Sequence, residues 1–80
     1  MNSEYLQKVK AKCSKFHSYN DVDFYIDLKM FILEELVDNK LLWYNTSSLQ
    51  YLVIIPKLDY NNINDRISID NCIKSFLLSL

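Results

Sequence analysis

Glycine is absent from this 80-residue chain, and Pro56 is its only proline. Gly-rich phosphate loops, Asn-Gly hairpin turns and glycine helix caps are therefore excluded, because each needs a backbone that tolerates positive φ or the close approach of a ligand. Histidine occurs once, at His17, and cysteine twice, at Cys13 and Cys72, too few for a closed zinc site built from those residues. No apolar run reaches the ~20 residues of a membrane span, since Glu34 and Glu35 break the best candidate. Met1 to Lys15 is lysine-rich and amphipathic, unlike a secretory leader, so the expected setting is cytoplasmic and reducing. The sequon Asn45-Thr46-Ser47 then reads as a polar turn.

What the chain does contain is apolar surface. Half of its residues are hydrophobic and 14% are aromatic, far more than a disordered chain carries. A length of 80 residues allows one domain, spanning 1–80, that buries roughly 60% of its unfolded surface. The net charge of −1 conceals segregation along the chain. Lys8, Lys10, Lys12 and Lys15 against Glu4 give residues 1–20 a charge of +3, while six acids against Lys29 give residues 21–39 a charge of −5. Two neighbouring segments thus have opposite sign. Usage rich in Asn, Lys, Ile and Tyr suggests an AT-rich genome, such as that of a virus or mobile element.

The segment Val22 to Lys40 reads as a long helix. At 100° per residue, Asp23, Asp27, Glu34 and Asp38 fall in one narrow sector with Glu35 at its flank. Val22, Phe24, Tyr25, Ile26, Leu28, Phe31, Ile32, Leu33, Leu36 and Val37 spread over about 260° of the remaining circumference. Such a helix must be wrapped on most sides, by its own domain or by a partner. Before it, Ser3 to His17 predicts a surface helix with Tyr5, Leu6, Val9, Cys13 and Phe16 on one face, and Asn20 or Asp21 can cap the central helix.

After Lys40 the pattern changes. Leu41-Leu42-Trp43-Tyr44 and Leu49 to Ile55 are rich in aromatic and β-branched residues and are separated by Asn45-Thr46-Ser47-Ser48, which predicts a β-hairpin ended by Pro56. Arg66 to Ile69 suits a short third strand, and Asp70 suits the cap of a last helix. The expected fold is α+β: two N-terminal helices, the hairpin and a C-terminal helix in one small two-layer domain.

Chemistry has few candidates. Cys13 and His17 stand on adjacent helical turns, but without further ligands they read as a buried thiol beside a rim histidine. The carboxylates Asp23/Asp27 and Glu34/Asp38 lie along one ridge rather than around a cleft, which argues for a solvated or partner-facing surface over acid–base catalysis. No enzyme, cofactor or metal is expected. The expected function is a non-enzymatic protein-interaction module, an inhibitor, immunity-type protein or accessory subunit. It would present Asp23, Asp27, Glu34 and Asp38, with Trp43, Tyr44 and Tyr51 as aromatic anchors, to a larger protein with a basic surface. Two alternatives stand beside it. Two helices followed by a hairpin resemble a winged helix, with the lysines of the first helix on DNA, although the acidic helix would then occupy the groove-reading position. A homodimer or complex subunit pairing basic and acidic helices is the other.

Overall fold

In a computed structural model the protein is described over residues 3–37 and 48–80. Within those residues it forms four α-helices and no strand: α1 Ser3–Cys13, α2 Val22–Val37, α3 Gln50–Val53 and α4 Ile63–Ser79, with a 3₁₀ turn at Ile55–Lys57 between α3 and α4. The α+β expectation is overturned. Of the predicted hairpin, the strand Leu41 to Tyr44 lies outside the described residues, while the segment from Leu49 to Ile55 holds the helix Gln50–Val53, flanked by turn residues, and the start of the 3₁₀ turn.

The physical reason is visible in which residues are buried. Leu49, Leu52 and Ile55 are buried, whereas Tyr51 and Ile54 are exposed, a spacing of three that suits tight helical turns. In a run where nearly every position is apolar, periods of two and of three to four both find matches, so periodicity does not separate strand from helix. Pro56 sits inside the 3₁₀ turn near its start, where an N–H would have no intrahelical partner, instead of ending a strand.

The predicted third strand, Arg66 to Ile69, is likewise the interior of α4. That helix starts eight residues earlier than expected, and its cap is Asn62, whose side-chain oxygen accepts from the backbone N–H groups of Asn64 at 2.9 Å and Asp65 at 3.3 Å. Asp70, the expected cap, lies mid-helix and pairs with Lys74 one turn later at 2.9 Å. Of the two candidate caps for α2, Asn20 and Asp21, it is Asp21 whose carboxylate accepts from the N–H of Phe24, at 3.1 Å. Helix α1 stops at Cys13, short of the predicted His17, and tightens into turns with Lys15 N–H on the carbonyl of Lys12 and Phe16 N–H on that of Cys13.

One core joins these pieces. Val9 and Cys13 of α1, Tyr25, Leu28 and Ile32 of α2, Leu49, Leu52 and Ile55 around α3, and Ile69, Ile73 and Phe76 of α4 form a single buried cluster. Phe16, Phe24, Phe31, Leu58, Tyr60 and Leu77 pack at its margin. In α4 the buried residues recur at intervals of four and three, the stripe a surface helix turns inward.

Candidate interaction surface on helix α2

Only one side of α2 enters the core. Tyr25, Leu28 and Ile32 are buried and Phe24 and Phe31 half-buried, while Val22, Ile26, Met30, Leu33 and Val37 are 42%, 53%, 53%, 36% and 79% exposed. Of the two ways in which this helix could be wrapped, cover by the domain itself is incomplete among the described residues, which leaves cover by a partner. At 100° per residue the five exposed side chains span a sector of about 80°, nearly opposite the buried one, and form a continuous stripe along the helix. At its C-terminal end, Met30, Leu33, Glu34 and Val37 line an open depression of about 390 Å³.

The acidic sector adjoins this stripe. Asp23, Asp27 and Glu34 are all exposed and share one border of it, as their spacing requires. Their electrostatics differ, however. The Lys12 ammonium reaches Asp27 at 2.9 Å and also lies 5.1 Å from the centroid of the Phe31 ring, so the basic and acidic helices meet within one chain. Among the described residues Asp23 and Glu34 have no such cation. Lys29, by the same 100° geometry, stands on the opposite border of the stripe and lies over the Tyr25 ring at 5.5 Å. Lys8 and Lys10 on α1, and Lys15 in the turn after it, remain exposed.

Of the other predicted contact residues, Tyr51 sits on α3 and is 36% exposed. Asp38, Trp43 and Tyr44 lie outside the described residues. The sequence shows that this helix carries more apolar face than its own domain readily covers, but not which apolar residues stand outward, and Met30 is absent from the apolar set read there. The signal for the excess is angular. A helix with one acidic sector and apolar residues on both sides of it has more apolar face than one core contact covers.

Burial disfavours the reactive thiolate at both cysteines. Cys13 is fully buried, and desolvation pushes its pKa up from 9.0 to about 12 despite the opposing pull of Lys12. His17 is exposed beyond the end of α1, so the adjacent-turn geometry expected of the pair is not formed. Burial also raises the thiol of Cys72. Among the described residues no three His, Cys, Asp or Glu side chains gather where a metal could be held, and no helix is long and apolar enough to cross a membrane. The winged-helix alternative loses the second strand of its wing, because the segment from Leu49 to Ile55 holds the helix Gln50–Val53 and the start of the 3₁₀ turn. No protein-family model, curated protein or solved structure matches the chain.

Proposed function

We propose that this protein is a small non-enzymatic binding module, of the inhibitor, immunity-type or accessory-subunit kind, that works in the cytoplasm by engaging a larger protein with a basic surface. One observation carries the reading: five large apolar side chains stand exposed in a row on α2, directly beside the carboxylates of Asp23 and Glu34. Single exposed apolar residues are ordinary on protein surfaces, but a contiguous row with a charged border has the composition of a contact surface. The carboxylates steer association and the apolar row slows dissociation. Asp27 contributes less than its position suggests, because Lys12 already offsets its charge. Tyr51, Trp43 and Tyr44 enter as anchors on residue type alone.

The test is affinity capture from the cells that produce the protein, comparing the wild type with Met30→Lys and with the double variant Asp23→Lys/Glu34→Lys. A specific protein held by the wild type, lost with Met30→Lys and held only weakly at low salt by the double variant supports the reading. Capture that is indifferent to both changes refutes it.

A further inference from the structure

Resting on that reading, we infer that the stripe on α2 receives an amphipathic helix of a different protein whose apolar face is edged along one side by lysine or arginine. The shape of the stripe points to a helix. Val22, Ile26, Met30, Leu33 and Val37 follow one another at intervals of four, four, three and four residues, which makes a straight row about 22 Å long at 1.5 Å per residue and only about 80° wide. A row of that form interdigitates with one facing helix. The depression between Met30, Leu33, Glu34 and Val37 gives that helix a place to seat an apolar side chain at one end.

Charge selects the kind of helix. The stripe has an acidic border, formed by Asp23, Glu34 and the Lys12-paired Asp27, and a border where Lys29 leans onto Tyr25. A second copy meets it poorly. Packed antiparallel on its own twin, α2 would bring acidic border against acidic border; packed parallel, it would set three carboxylates against one lysine already engaged with an aromatic ring. The other helices of a second copy fit no better. Helix α1 exposes Lys8 and Lys10 together with Gln7 and Ala11, and so lacks an apolar row among its described side chains. Helix α4 exposes Ile63, Ile67 and Leu78, but Lys74 is tied to Asp70 and Arg66 to Tyr60, leaving no basic border.

The experiment uses the whole protein and two labelled helical peptides with the same leucine face, one edged by lysine and one by glutamate. Titration by fluorescence anisotropy at low and high salt is expected to give saturable one-to-one binding of the lysine-edged peptide. The glutamate-edged peptide should bind about tenfold or more weakly at low salt, with the gap closing at high salt. Met30→Lys should abolish binding of both peptides, and Asp23→Lys/Glu34→Lys should invert the preference while leaving the far-ultraviolet circular dichroism unchanged. Equal affinity for the two peptides overturns the inference. So does self-association of the wild type that Met30→Lys removes, which would assign the stripe to a second copy. A change in Trp43 emission caused by Met30→Lys in the isolated protein also overturns it, by assigning the stripe to this chain's own residues. If neither peptide binds while source-cell capture still depends on Met30, the helical partner is wrong and the binding-module reading stands. If capture is also indifferent to Met30, both fail.

Discussion

The corner that leads into α4 and the outward side of α2 spend their side chains in opposite ways. At the corner, polar groups are consumed internally. The Asp59 N–H donates to the Asp65 carboxylate at 2.9 Å, the Asn61 N–H to the Asp59 carboxylate at 2.9 Å, and the Arg66 Nε–H to the Tyr60 carbonyl at 2.6 Å. Arg66 also stacks on the Tyr60 ring at 4.7 Å, and that ring packs 5.0 Å from Tyr25. On the outward side of α2 the apolar row and the carboxylates of Asp23 and Glu34 are turned to solvent, with no ion pair among the described residues. The corner's residue choices are explained by the fold it closes. Those of the α2 row are not, and a surface whose composition the fold does not require is where function should be sought.

The comparison can be broken most sharply by cavity formation. Phe76→Ala removes a fully buried ring from α4 and is expected to destabilise the domain by about 3–5 kcal/mol, enough to leave much of an 80-residue protein unfolded in a urea titration. If Leu33→Gln on the α2 row costs as much, that row is covered and the contrast disappears.

Alkaline pH is the next lever. Because folding raises the Cys13 pKa from 9.0 to about 12, the folded state keeps a proton that the unfolded chain releases. The resulting stabilisation is fully present below pH 9 and is lost as pH rises from about 9 to 12, at up to about 1.4 kcal/mol per pH unit. Denaturation titrations in that window should show the slope, and Cys13→Ala should flatten it.

At the corner, Asn62→Ala removes the cap of α4 and should cost about 1 kcal/mol in thermal or denaturant unfolding. A cost near zero would mean that the corner's hydrogen bonds are decoration and not closure. The smallest effect belongs to the row itself: Ile26→Gln and Met30→Gln should each change stability by less than about 0.5 kcal/mol while weakening whatever binds there.

The same contrast accounts for what could be read from the chain. The central helix and its cap, narrowed to Asn20 or Asp21, were legible because α2 is long and its cap residue stands next to the first apolar position. Lys12 meeting Asp27 was legible only as opposite charge on neighbouring segments, since the distance depends on how α1 packs. Leu49 to Ile55 was misread because an almost continuous apolar run matches both helical and strand periods. The early start of α4 was missed because Ile67 and Ile69 favour strands on their own, and tertiary packing of Ile69, Ile73 and Phe76 overrides that preference. Which apolar side of α2 faces the core was not readable from α2 alone. That choice is made by the elements that pack against it.

The Tyr25 hydroxyl donates to the Leu58 carbonyl at 2.7 Å across 33 positions of the chain, whereas the Asp59 to Asp65 contact spans six. The two contacts therefore belong to different moments in folding. The corner can form from its own neighbourhood as α4 nucleates, while the hydroxyl bond must wait until a large loop has closed and its entropy has been lost. Docking of α2 against Leu58 thus follows closure of the corner, and only then is its outward row presented in fixed form. A partner that grips this row binds only the docked form of α2, and so acts on the folding equilibrium as well as on the surface.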